Sequence, residues 1–174
     1  MYRLNKNHWN ACIDARKWIK ENNIKTLAEA WEKCERGDWM LWLYVHLHPD
    51  HIRERVLAAG HCANTVRHLM TDKRSIDAVD AAIAFGEGKI SLYELKIAAV
   101  EAAVAYADND YVFSAAVTSY ADYVAYAAAH ATYAADAADA ATYAADAAAV
   151  ASAERKENEI KTAEICRRYL HPAF

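Results

Sequence analysis

From Lys89 to His171 the chain contains neither a glycine nor a proline. A sheet protein of this length needs a turn roughly every 8–12 residues, and turns draw on those two residues. Only four glycines and two prolines occur in all 174 residues. The same scarcity excludes collagen and low-complexity disorder, and four cysteines are too few for a disulfide scaffold. The sequence therefore predicts an all-α fold, a single-domain bundle of about seven or eight helices. Alanine supplies 40 of the hydrophobic residues, so large side chains capable of filling a core are concentrated early in the chain. Within the single domain 1–174, residues 1–108 read as a Trp- and Cys-rich helical core, and residues 109–174 as long, Ala-rich, acidic helices.

Local signals place the helices. Trp9, Cys12, Ile13 and Ile19 share one face of a first helix over about Asn7 to Glu21. Thr26-Leu27-Ala28-Glu29 is a capping box opening a short helix to about Cys34. Gly37 reads as a stop and Asp38 as the cap of the apolar run Trp39 to Val45. Pro49-Asp50 starts a helix carrying Ile52, Val56, Ala59, Ala63, Val66 and Met70 on one side. Ser75 is expected to cap the next, which Gly86-Glu87-Gly88 closes. Ser91-Leu92-Tyr93-Glu94 is a second capping box, and its helix is expected to end near Ala107, before the break Asp108-Asn109-Asp110. Nothing then interrupts a helix from Tyr111 to Leu170, a span of roughly 90 Å if straight. Inside it Ala131 to Ala138 recurs as Ala141 to Ala148, a local duplication with a period that specifies no supercoil.

Charge is unevenly spread. Residues 1–75 are net +4, while residues 76–153 are net −9, with no Lys or Arg between Lys96 and Arg155. A nucleic-acid binder presents a basic stripe, and this chain presents the opposite, so nucleic acid is excluded as a partner. A basic protein would be attracted instead. Met1 to His8 has no apolar stretch of the secretory kind, and no apolar run approaches the ~20 residues that span a bilayer. No membrane contact and a cytoplasmic location are the expectations. Cys12, Cys34, Cys62 and Cys166 form no CxxC pair and read as reduced, buried thiols.

His46-Leu47-His48-Pro49-Asp50-His51 matches the HxHxDH signature of the metallo-β-lactamase superfamily. His130, Asp146 and His171 follow in an order that could complete such a site, but that fold needs sheets and glycine turns, and His130 and Asp146 sit in alanine helix. Catalytic zinc needs three converging protein ligands and an open position. The expectation is no metal, no cofactor and no catalysis. Gly-rich phosphate loops and nucleophile elbows are absent too.

Several stretches together resemble a family of helical immunity proteins found in bacterial polymorphic-toxin loci and on phage genomes. They are Ala11-Cys12 with Ala15 and Trp18, Ala30-Trp31-Glu32-Lys33-Cys34, and Arg36-Gly37-Asp38-Trp39-Met40-Leu41-Trp42-Leu43. Cys62-Ala63 with Val66-Arg67, the turn at Gly88 and the closing Ile165-Cys166-Arg167-Arg168-Tyr169-Leu170 extend the match. The Tyr- and Asp-rich repeat departs from the family. The resemblance implies a non-catalytic protein that neutralises a toxin or defence effector by binding. The acidic half then supplies candidate partner-binding residues: Asp122, Tyr133, Asp136, Asp139, Tyr143 and Asp146. An alternative of another class is a small-molecule binder that sequesters a nucleotide signal. Arg36, Arg67 and His68 would meet phosphate, and Trp39 and Trp42 would stack on a base. A third candidate partner is a second copy of the chain, joined through the Ala-rich helices as a homodimer.

Overall fold

The computed structural model describes residues 11–110, 127–128, 143–144, 146 and 155–174. Among these it has seven α-helices and one 3-10 turn, as the absence of turn residues requires. They are α1 (Ile13–Glu21), α2 (Leu27–Lys33), α3 (Gly37–Leu47), α4 (Ile52–Asn64), the turn Arg67–Leu69, α5 (Lys73–Gly86), α6 (Leu92–Asp110) and α7 (Arg155–Tyr169).

Both capping boxes form. Thr26 Oγ1 accepts from Glu29 N at 3.1 Å, while the Glu29 carboxylate accepts from Lys25 N at 2.8 Å. Ser91 Oγ accepts from Glu94 N at 3.3 Å, and Glu94 answers through Ser91 N at 2.7 Å. Thr26→Ala should therefore lower stability by about 1 kcal/mol, read as a shift in the urea midpoint at unchanged slope. The ends close through left-handed residues, Asn23 after α1 (φ 54°) and Gly88 after α5 (φ 79°). In each, the next amide reaches back five residues: Ile24 N to Ile19 O at 3.0 Å, and Lys89 N to Ala84 O at 2.8 Å.

Helix α4 is at the centre of the packing, touching α3, α5 and α7, while α6 lies on the far side of α5 and α7 also lies on α3. Val56, Ala58, Ala59, Cys62 and Ala63 of α4 are sealed from solvent, as are Ala78, Val79 and Ala82 of α5. Small residues allow these backbones to approach closely. A methyl on Gly60 would come 3.0 Å from Ile83, and one on Gly86 would come 2.8 Å from the Leu57 Cα. Larger core side chains are Met40, Leu41 and Tyr44 of α3, Leu95 of α6 and Leu170 just after α7, each at most 2% exposed. Helix α7 buries Asn158, Thr162, Ala163 and Cys166, one stripe at helical spacing. It is tied across the chain by Asn158 Nδ2 donating to Thr65 Oγ1 at 2.9 Å and Cys166 Sγ donating to Gly37 O at 3.5 Å.

Five boundaries differ from the sequence reading. Helix α1 begins at Ile13, not Asn7, with Cys12 as its N-cap through Sγ and Ala15 N, so Cys12 is exposed rather than buried. Gly37 opens α3 instead of stopping a helix, and Asp38 is not its cap, because Arg36 holds the carboxylate. Helix α4 ends at Asn64, and Val66 and Met70 flank the 3-10 turn instead of extending the helix. Asp72, not Ser75, caps α5, accepting from Arg74 N at 2.8 Å, and Ser75 is buried inside the helix. Helix α6 runs through Asp108-Asn109 to Asp110. One turn of Asp and Asn costs too little helix propensity, a few tenths of a kcal/mol per residue, to end a long helix. The expected rod from Tyr111 to Leu170 falls mostly outside the described residues. Within that stretch Ala127, Ala128, Tyr143, Ala144 and Asp146 are helical, and α7 begins at Arg155.

Candidate functional site

A cavity of about 360 Å³ opens between α1, α2 and the start of α3. Its walls hold all four of the described tryptophans, Trp18, Trp31, Trp39 and Trp42, while Trp9 lies outside the described residues. Each is placed by its helix. Trp31 is buried in α2, whereas Trp18, Trp39 and Trp42 are half-buried and turn part of their rings to the opening. Trp18 and Trp39 meet edge-to-face at 6.0 Å, a geometry that aromatic quadrupoles favour.

Among the described residues, three charged ones reach the cavity: Asp14, Arg36 and Asp38. The Arg36 guanidinium lies 4.7 Å over the Trp39 ring. It also grips Asp38 with two parallel bonds, Nε to Oδ1 at 2.9 Å and Nη2 to Oδ2 at 2.6 Å. Glu159 of α7 approaches the same guanidinium at 3.8 Å. The Asp38 carboxylate raises the Arg36 pKa above its already high value, so this cation never titrates. Cys34 donates to Arg36 O at 3.4 Å, and burial pushes its thiol up to about 11, which leaves it an unreactive wall. Among the described residues the cavity is thus largely apolar, with four tryptophans in its wall, Arg36 already paired and Asp14 exposed beside it.

The structure joins Arg36, Trp39 and Trp42 of the sequence-derived ligand set but leaves Arg67 and His68 out of the cavity. Both sit on the 3-10 turn, where Arg67 forks onto Asp80 of α5, with Nη2 to Oδ2 at 2.8 Å. Of the acidic candidates, Asp146 is ion-paired with Arg155, and Tyr143 packs half-buried against the core. Asp122, Tyr133, Asp136 and Asp139 lie outside the described residues. Sequence reasoning missed Trp18, Trp31 and Asp14 as lining residues. The available signal was that all five tryptophans fall within the first 42 positions.

The histidine motif spreads over a helix junction. His48 ends α3 and His51 precedes α4, with rings 5.0 Å apart. Tyr44 Oη and His51 Nδ1 share a hydrogen bond at 3.1 Å, and burial raises the Tyr44 phenol to about 12. His46 turns back to Trp42 O at 2.8 Å, and Asp50 is exposed. Among the described residues no group of three His, Cys, Asp or Glu is arranged to hold a metal ion.

Another histidine sets a pH limit. His61 stacks flat on Tyr169 at 4.3 Å, and burial lowers its pKa below the usual 6.5. His48 is lowered in the same direction, first by burial and then by His51. The unfolded chain takes up these protons before the folded one does. Stability is therefore full above about pH 6.5 and falls as the pH drops through the folded values. His61→Gln should flatten that fall, measured as the difference between urea midpoints at about pH 7.5 and about pH 5.

No family model, curated protein or solved structure matches this chain.

Proposed function

We propose that this protein is a non-catalytic immunity or anti-defence protein of the cytoplasm, which neutralises a toxin or defence effector by binding it. The tryptophan-walled cavity carries the reading. Arg36, the cation among its described lining residues, is engaged by two carboxylates, so the pocket suits an uncharged or cationic group better than a phosphate. An aromatic or aliphatic side chain flanked by Lys or Arg fits that chemistry, and buried aromatic anchors dominate interface energetics. The net charge of −9 over residues 76–153 would steer such a basic partner and raise its on-rate. The resemblance to helical immunity proteins points the same way.

Capture of candidate basic toxins from a co-expressing host, followed by titration, tests this. Trp42→Ala should weaken the complex roughly thirtyfold, the scale of an aromatic hot spot. Replacing Asp136, Asp139 and Asp146 with Asn should flatten the salt dependence of association. Capture indifferent to both changes would sink the reading.

The alternative, sequestration of a nucleotide signal, draws support from Arg36 lying over Trp39 beside an open cavity of ligand size. It requires Arg36 to leave Asp38. Thermal shift against cyclic and linear nucleotides separates the two, because a tight ligand stabilises by a few kcal/mol at about a hundred times its Kd. Non-catalysis has its own check. Protein purified without a histidine tag should carry no stoichiometric zinc, and zinc that is lost on His48→Ala would promote a metallohydrolase instead.

A further inference from the structure

Helix α6 is apolar on two sides. Leu95, Ala99, Ala102 and Ala105 are buried on the inner side of the helix. On the outer side Tyr93, Ile97, Val100 and Val104 are exposed, at 74, 47, 59 and 45%. Their spacing is +4, +3, +4, which is the seam of a heptad repeat and not the scatter of incidental surface residues. Ile97 and Val104 take the a positions, both β-branched, and Tyr93 and Val100 take the d positions. The residues beside the seam then have fixed roles. Lys96 falls at g and Glu101 at the following e, and both are exposed.

We propose that this face is a self-association surface, on which α6 of a second copy lies parallel to α6 of the first. In a parallel pair, a g residue meets the e residue five positions on in the partner helix. Lys96 of each copy therefore meets Glu101 of the other, twice by symmetry. An antiparallel pair fails on charge. It brings Glu94 and Glu101, both at e, against each other and leaves Lys96 opposite Ala103. The chain's own acidic repeat is also a poorer occupant, because residues 111–154 contain no Lys or Arg to meet Glu101. The seam spans roughly 16 Å of helix, which suits a micromolar dimer and not an obligate one. This inference is independent of the tryptophan cavity, whose described lining residues come from the segment 11–43.

Sedimentation equilibrium of the full chain across the micromolar range tests it. The expected result is a monomer–dimer equilibrium. Lys96→Glu alone, and Glu101→Lys alone, should each weaken the dimer roughly tenfold, by turning two attractions into repulsions. The double variant should recover wild-type affinity, and the two single variants should form a heterodimer when mixed. Val100→Glu, at an exposed position, should abolish the dimer while leaving far-UV circular dichroism unchanged and removing the concentration dependence of Tm. A wild-type monomer at all concentrations overturns the proposal, whether or not another segment covers the face. A dimer indifferent to Val100→Glu overturns it as well. If Glu101→Lys tightens the dimer, the pairing is antiparallel and the parallel arrangement is wrong.

Discussion

Gly37→Ala should destabilise the protein by about 1–3 kcal/mol, and Gly37→Val by more. Gly37 is the first residue of α3, and it lies where α3 meets α7. A methyl there would come within 2.5–2.7 Å of Thr162, including the Thr162 backbone carbon. Backbone cannot rotate aside as a flexible side chain can, so the two helices would have to separate. That movement would stretch the bond from Cys166 Sγ to Gly37 O and disturb the one from Cys62 Sγ of α4 to Thr162 O at 4.0 Å, both cysteines being fully buried. Burial and the neighbouring Cys62 hold the Cys166 thiol well above its normal range, so no ionised sulfur offsets the loss. Chemical denaturation should show the midpoint falling. Unchanged stability would mean that α7 does not lie against α3 as described. Gly60→Ala should cost less than Gly37→Ala but not nothing, since its new methyl would meet Ile83 Cγ1 at 3.0 Å and Ala82 Cβ and Ile83 N at 3.2 Å, contacts that the neighbours must relieve by a few tenths of an ångström.

Arg36→Ala should cost about 1–3 kcal/mol, through what it leaves behind more than through what it removes. Asp38 and Glu159 keep only 14% and 12% of their side-chain surfaces exposed. Without the guanidinium, Asp38 loses two short charge-assisted bonds and Glu159 keeps only the edge contact with Arg155 at 3.2 Å. Arg36→Lys should recover only part of the stability, because an ammonium cannot fork onto a carboxylate. The cavity changes character in the same step. It becomes wider and more negative, so Arg36→Ala should bind cationic aromatic probes more tightly and nucleotides no better than wild type. Tryptophan fluorescence reads both, since Trp39 loses its overlying cation. If nucleotide affinity collapsed in Arg36→Ala, the sequestration alternative would move ahead of the toxin-binding reading.

The helical class was legible because it rests on what a long stretch of chain lacks. The Thr26 and Ser91 boxes were legible because their bonds close within four residues, so sequence neighbours are spatial neighbours. Asp38 shows where local reading fails: it has the right residue type beside an apolar run, but Arg36 two positions earlier takes its carboxylate. Ser75 fails for a related reason, since Asp72 offers a competing cap three residues upstream and wins. The cavity could not be read as a site at all. Its walls come from three helices whose relative placement depends on distant contacts, and only the clustering of tryptophans hinted that they converge. Arg36, Trp39 and Trp42 were found because they are adjacent in sequence. Arg67 and His68 were grouped with them by chemistry alone, and the fold separates them.

The contacts that fasten α7 also impose an order of events on synthesis. Gly37 and Cys166 are 129 positions apart, and Cys34 and Arg167 are 133 apart. A chain emerging from the ribosome therefore completes α3 and α4 long before the helix that covers them exists. Translation at about 5–20 residues per second leaves that apolar groove open for several seconds. The stretch between them contributes Ala127, Ala128 and Ala144 to the same core, with Tyr143 packed against it. Helical proteins ordinarily fold fast because their contacts are local. In this one the contacts of α7 with Cys34 and Gly37 span 133 and 129 positions, so a nascent chain halted before Arg155 lacks the helix that covers α3 and α4.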